Sequence, residues 1–224
     1  MSNHTQYKAE EIEIREIKEI KIKNNIKCVI LGDSGIGKTS IIKTYHNNHF
    51  DTYNETTLGA TYWELNYKYS ESKNIKINFW DTAGQERYNS LIPMYVRECD
   101  IVILAFDLTD ENSFTSLKKW YNFVRNNYAN PKVIIVGNKE DLKIYHRVEE
   151  DSIGLFLQNN FKTKPAFFRT SAKKNINIDK LFNYIFSLTR EIIDDRIKKK
   201  IRLSDNIDFY EKEKKSNYKC CNIL

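Results

Sequence analysis

Lys38 and Thr39 close the run G-D-S-G-I-G-K-T (32–39), in which Gly32, Gly35 and Gly37 keep the backbone bare. An apolar stretch from Ile26 to Leu31, with only Lys27 polar, precedes it, and Ile41 and Ile42 follow. The pattern G-x-x-x-x-G-K-[ST] between a strand and a helix predicts a loop whose N–H groups converge on an anion. Lys38 would reach the β- and γ-phosphates, and the Thr39 hydroxyl would ligate magnesium. A plain glycine-rich turn is the bland alternative, and both spacing and context argue against it. The chemistry is the holding of a nucleoside triphosphate.

Three further clusters carry chemistry. Asp81 stands where the alternating run Ile75–Trp80 ends, opening D-T-A-G-Q-E (81–86). A carboxylate there can hold magnesium through water, Gly84 leaves an N–H free to approach a terminal phosphate, and Gln85 could orient an attacking water. Asn138-Lys139-Glu140-Asp141 follows the apolar run that ends at Gly137. The Asp141 carboxylate accepts two N–H donors, matching N1–H and the 2-amino group of guanine, a pair that adenine does not present. A buried acceptor left unpaired costs about 1–3 kcal/mol, so the carboxylate discriminates. Asn138 can satisfy the base and tie loops together, while the Lys139 stem packs over the ring. Ser171-Ala172-Lys173 can offer the Ala172 N–H to the guanine oxygen. N-K-x-D and S-A-K are weak strings singly, and they gain from order and position.

These groups must be brought to one rim. Strands are expected at 26–31, 60–68, 75–80, 101–106, 133–137 and 166–169, and helices at 38–47, 110–128, 149–159 and 180–196. A hairpin turn falls at Ser70–Asn74, and the region running to Cys99 is irregular or short-helical. Ile101–Phe106 and Val133–Gly137 are continuously apolar, as strands buried on both faces are. Alternating strands and helices imply a three-layer α/β fold: a mainly parallel six-stranded sheet with helices on both faces and one antiparallel edge strand. Ligands sit at the carboxyl ends of such strands, where every motif falls.

Three segments follow: a polar N-terminal extension over 1–25, a domain over 26–196, and a flexible basic tail over 197–224. In the extension, Ile14, Ile17 and Ile20 are spaced as in a helix, while Ile12/Ile14 and Ile20/Ile22 alternate as in a strand. A short amphipathic helix and an extended arm are both open. At 224 residues and 29% charged, the chain suits one soluble domain with extensions. No run of 18 apolar residues exists to span a membrane, and the charged N-terminus lacks a signal-peptide core, so a cytosolic chain is expected. Cys28 and Cys99 should be reduced core residues. The net charge of +6 is modest and lacks basic–aromatic interleaving, so no nucleic acid is expected as a partner.

In order and spacing, G-D-S-G-I-G-K-T, D-T-A-G-Q-E, N-K-E-D and S-A-K resemble the Ras-like small GTPases over about residues 26–195. T-L-G-A-T-Y (57–62), W-D-T-A-G-Q-E-R-Y (80–88) and the cysteine pair near the end are similar to the Rab family. Y-N-S-L-I-P-M-Y-V-R (88–97) and L-G-A after Thr57 resemble its early-endosomal branch. The resemblance implies a P-loop GTPase (G domain) fold, GTP or GDP as bound nucleotide, and Mg2+. It implies Gln85 in catalysis and Thr39, Thr57 and Asp81 on the metal. On the nucleotide it implies Ser34, Gly35, Gly37, Lys38, Thr39, Ser40, Phe50, Asp51, Thr57 and Gly84, with Asn138, Lys139, Asp141, Ser171, Ala172 and Lys173 at the base. Thr57 would be the switch I threonine, and Phe50 would lie edge-on to the guanine. Tyr62, Trp80 and Tyr95 match the aromatic triad that effectors read, with tyrosine at the first place where phenylalanine is usual. Implied partners are effectors at both switches, an exchange factor, a GTPase-activating protein and a prenyl-binding escort or dissociation inhibitor, around a monomeric chain.

No arginine stands between Phe50 and Tyr62 to act in cis. Intrinsic hydrolysis should therefore be slow, about 10⁻⁴ s⁻¹ as for Ras alone, with an activating protein completing the site. Thr57 and Gly84 would touch the γ-phosphate only in the GTP state, so its loss should release both segments. Beyond Arg196 the segment Lys198–Lys219 sets eight Lys and Arg against four Asp and Glu. Cys221, with Asn222, Ile223 and Leu224, satisfies C-a-a-X, and a terminal leucine favours geranylgeranyl transfer. Cys220-Cys221 also resembles a double-prenyl ending. Two chains plus basic residues suffice for stable anchoring to the cytosolic face of an intracellular membrane, endosomal by resemblance, with a cytosolic pool. Two other readings compete: a GTP-locked scaffold with negligible hydrolysis, and an ATP-using P-loop enzyme. Gln85 and the magnesium ligands speak against the first, and Asp141 against the second.

Overall fold

The computed structural model describes residues 23–51, 57–84, 90–127 and 131–220, with backbone alone for 127 and 203–220. β1 (Asn25–Leu31) is buried at every residue from Cys28 onward. Such a strand needs neighbours on both edges and cover on both faces, and it takes an inner place in the sheet. In chain order follow α1 (Lys38–Asn47), β2 (Ala60–Ser70), β3 (Lys73–Thr82), α2 (Ile92–Val96), β4 (Ile101–Asp107), α3 (Glu111–Asn127), β5 (Lys132–Asn138), α4 (Glu150–Asn160), β6 (Ala166–Arg169) and α5 (Ile178–Cys220). The six strands lie in the order β2-β3-β1-β4-β5-β6. β2 runs antiparallel to β3, and every other neighbouring pair is parallel. This is the mainly parallel, helix-flanked sheet with one antiparallel edge strand that the sequence predicts.

Burial explains the placing. All seven residues of β4 are buried, and β5 is buried from Ile134 to Asn138. Each aliphatic side chain so removed from water contributes about 1.5–3 kcal/mol. β2 alternates between half-buried and exposed positions, which suits an edge. The β2–β3 hairpin turns on Glu71 and Ser72 alone, with a register shift between Lys68 and Ser70. That is tighter than the expected turn over 70–74, because the alternation of the two strands carries on to the turn itself. Cys28 and Cys99 are buried and in no disulfide, and burial, then Cys99 and Asp100, push the Cys28 thiol well above its usual range.

Two elements differ from expectation. A 3₁₀ turn, Glu140–Tyr145, follows β5 and buries none of its residues, so it leaves no apolar period to read. α5, expected to end near Arg196 before a flexible tail, continues to Cys220. Neither glycine nor proline occurs between 178 and 220, and lysine, glutamate and arginine are good helix formers, so nothing in the sequence stops the helix. The described residues fall into two compact units, 25–189, which carry the sheet, and 23–24 with 190–220. Within the second, the Arg196 guanidinium donates to the Lys23 carbonyl at 3.0 Å. Among the described residues no helix is long and apolar enough to cross a membrane.

Candidate nucleotide-binding site

The strand order reverses at β1, with β3 to one side and β4 to the other, and the loop leaving β1 opens at that switch point. Gly37, at φ 92°, caps α1, and a Cβ there would stand 2.6 Å from Asn138 Nδ2. Lys38 is buried, and its ammonium donates to the carbonyls of Gly32 and Asp33, both at 2.8 Å. Burial lowers its pKa to about 8, against the opposing pull of Asp81 and Asp33. Ser34 and Gly35 are exposed at the loop tip, and Ser40 lies in the first turn of α1. One support was not legible from sequence: Trp120 Nε1, on α3, donates to Asp33 Oδ1 at 2.9 Å.

Asp81 lies near the end of β3 and is fully buried. Neither of its carboxylate oxygens has a hydrogen-bond partner among the described residues. Burial pushes its pKa up to about 6, while the nearby Thr39 hydroxyl, Lys38 and Lys43 ease it down. Thr39 Oγ1 and Thr57 Oγ1 lie 2.8 Å apart. An uncompensated buried carboxylate is costly. A hard divalent cation relieves that cost, and one carboxylate with two hydroxyls is a magnesium donor set that leaves room for water and phosphate oxygens. Among the described residues there is no cluster of three carboxylate, imidazole or thiol ligands of the kind other metals would take. The three residues expected at the metal thus stand together and fit the ion.

The segments around Thr57 and Asp81 are tied to each other and to the loop. Ala83 N donates to Gly59 O at 2.8 Å. A Cβ on Gly84 would lie 2.3–2.4 Å from the backbone of Asp33 and Ser34, so only glycine lets this segment press on the phosphate loop. Asp51 approaches Lys43 at 3.7 Å, and Phe50 is partly buried just past α1. Gln85 lies outside the described residues.

At the far end of the rim, Asn138 closes β5. Its amide Nδ2 donates to Ile36 O at 2.8 Å, and its Oδ1 accepts from Ala172 N at 3.2 Å and from the Thr170 hydroxyl at 3.3 Å. The side chain therefore joins three loops. The Ala172 N–H expected to face a guanine oxygen is here turned to Asn138. Ser171 Oγ donates to Asp141 Oδ1 at 2.5 Å and fixes that carboxylate. Lys139, with φ 67°, places its ammonium 2.6 Å from Asp107 Oδ2, while Lys173 is exposed.

Of the aromatic triad, the Tyr62 and Trp80 rings meet edge-on at 5.5 Å, and Trp80 and Tyr95 lie 5.6 Å apart. Leu58 and Met94 are large apolar side chains that are also exposed. Cys220 ends α5, and Cys221 lies outside the described residues.

A glycine-rich loop on β1, a buried orphan carboxylate beside paired hydroxyls, and an Asn–Asp–Ser–Ala cluster after β5 and β6 suit a GTP-binding protein. The model of the Ras family matches residues 27–193, and the chain belongs to that family. It is 37% identical over 164 residues to the GTP-binding protein ypt5 of Schizosaccharomyces pombe, covering 72% of this chain and 76% of the relative. It is 33% identical over 172 residues to the Ras-related protein Rab-11B of Dictyostelium discoideum, covering 76% of each. To the Ras-related protein Rab-13 of Rattus norvegicus it is 32% identical over 201 residues, 87% of this chain and 94% of the relative. Within the Ras family it falls with the Rab proteins, and it is a small GTPase, a hydrolase of GTP.

Proposed function

We propose that the chain is a magnesium-dependent GTP/GDP switch that recruits effectors in its GTP state at an intracellular membrane of the vesicle-trafficking system. The observation that carries this is the Asp81 carboxylate, buried without a partner beside the Thr39–Thr57 hydroxyl pair and the loop that holds Lys38. Thr39, Thr57 and Asp81 would hold magnesium, which when bound offsets charge on the phosphates. Lys38 and the loop amides bind the phosphates, Asp141 reads the guanine edge, and Gln85 orients water. No arginine in cis supports them, so turnover alone is slow and an activating protein completes the site. Resemblance to ypt5 along the chain favours the early-endosomal branch. Cys220 and Cys221 carry prenyl groups that a dissociation inhibitor would shield, and Tyr62, Trp80 and Tyr95 present the effector surface. The cytosolic face of an endosomal membrane, with a cytosolic pool, is the location this reading implies.

Displacement of N-methylanthraniloyl-GDP tests the reading. GTP should compete at least about 1,000-fold better than ATP, since a polar edge left unpaired discriminates by 10⁴–10⁵ at best. Chelation of magnesium should speed release. Equal competition by ATP would overturn the guanine assignment. Gln85→Leu should slow single-turnover hydrolysis by about 10²-fold while nucleotide stays bound, the order lost with one group positioned for the reaction.

A further inference from the structure

Away from the phosphate end, Arg169, the last residue of β6, meets three charged or titratable side chains. Its Nε donates to Glu140 Oε2 at 2.9 Å, one terminal nitrogen pairs with Glu150 Oε2, and the other lies 3.4 Å from His146 Nδ1. One guanidinium thus reaches the 3₁₀ turn after β5, the connector behind it, and the first turn of α4. The Arg169, Glu140 and His146 side chains are mostly buried, whereas Glu150 is largely exposed. His146 Nε2 in turn lies 3.4 Å from the Lys139 carbonyl.

The position of this pair is what gives it meaning. Glu140 stands between Lys139 and Asp141, and Arg169 stands two residues before Ser171. The same two loops are joined by a backbone rung, Glu140 N to Thr170 O at 2.9 Å, and by a side-chain rung, Ser171 Oγ to Asp141 Oδ1 at 2.5 Å. The Arg169 carbonyl is held as well, by Asn177 Nδ2 at 2.8 Å. A charged, partly buried pair with several donors is stronger and more directional than a surface ion pair. Its geometry constrains how far the Asp141 carboxylate can move from Ser171.

We infer that Arg169 is a positioning residue for guanine recognition, clamping Glu140 so that Asp141 keeps the orientation that accepts the 2-amino group of the base. The inference rests on the guanine-reading role proposed above for Asp141. It assigns to this chain an electrostatic brace behind the base pocket, built from the residue between Lys139 and Asp141 and the residue that ends β6. Arg169 acts through Glu140 and the loop.

The test compares release of N-methylanthraniloyl-GDP and N-methylanthraniloyl-IDP from the magnesium-loaded full chain. Hypoxanthine lacks the 2-amino group, so only GDP reports on the second acceptor contact. Arg169→Gln should raise the GDP release rate about tenfold and the IDP rate at most about twofold, which narrows the discrimination between the two bases. Glu140→Gln should do the same, and the double variant should be no worse than the worse single one, since both remove one interaction. Glu150→Gln, at the exposed end of the guanidinium, should change neither rate more than about twofold. Melting of each GDP-loaded variant separates positioning from folding, and Glu140→Gln serves alone if Arg169→Gln does not fold. Equal acceleration of GDP and IDP release, or no change in either, would overturn the brace. Asp141→Ala separates the two claims: if it leaves the preference for GDP over IDP intact, the base-reading role itself fails, whatever Arg169 does.

Discussion

The two ends of the nucleotide rim are built differently. At the base end Asn138, Asp141 and Lys139 are answered from within the protein: Asn138 makes three hydrogen bonds, Asp141 accepts from Ser171, and Lys139 meets Asp107. At the phosphate end one carboxylate is left wanting. Asp81 has two buried oxygens without partners, Lys38 is content with its own loop carbonyls, and Thr39 and Thr57 bond each other. On the function proposed above, the difference separates an end that recognises from an end that responds. A hydrogen-bonded base end lowers the ordering cost of binding, whereas a buried carboxylate without a partner is relieved when a cation binds.

The sharpest way to break this contrast is to unbuild the base end. Asn138→Ala removes a side chain that answers Ile36 O, Ala172 N–H and the Thr170 hydroxyl. Leaving buried groups unpaired costs about 1–3 kcal/mol each, so GDP release should speed by at least about 100-fold and the GDP-loaded melting temperature should fall by several degrees. Nucleotide-release kinetics and calorimetry read both. At the opposite end, Asp81→Asn should have the reverse sign for stability. Its carboxyl is pushed up to about 6 from an ordinary 3.8, a penalty on the order of 3 kcal/mol when charged, which the amide largely avoids. In chelator the variant should melt no lower than the parent, yet magnesium should no longer slow its nucleotide release. A variant less stable in chelator would mean the carboxylate has a partner after all.

The same group sharpens the comparison through pH. Its folded pKa is raised, so the charged form burdens the metal-free protein, and that burden lifts as pH falls through about 6 toward 4. Metal binding runs the other way, because the ligand must be deprotonated. Between pH 7.5 and 5.5 magnesium affinity of the GDP-loaded chain should drop roughly fourfold from this group, the fraction left ionised half a unit below its pKa. Titration by fluorescence at both values checks it. The smallest expected effect is at Asp33: Trp120→Phe removes its indole donor and should quicken GDP release about threefold, or about 0.6 kcal/mol, within the range for one hydrogen bond.

The elements were largely legible in the sequence because their signals are local. Continuous apolar runs marked β4 and β5, and Gly37-Lys38-Thr39 marked the turn into α1. Asp81, Asn138 and Asp141 could be read because a strand's end and a short string identify them together. What escaped were contacts between residues distant in sequence and set by topology. Trp120 and Asp33 are 87 residues apart, and nothing in either string points to the other. Arg169 and Glu140 are 29 apart and lie just outside the strings that drew attention. The 3₁₀ turn escaped because it has no buried face. The continuation of α5 was missed because charge and polarity read as tail, although no breaker interrupts it.

Amide hydrogen exchange on the magnesium-loaded chain, with GDP and with a non-hydrolysable GTP analogue, tests the contrast most directly. The account predicts that changes in protection concentrate at Thr57–Gly59 and Ala83–Gly84, while Asn138–Leu142 and Thr170–Ala172 exchange alike in both states. Equal or larger changes at the base end would contradict it.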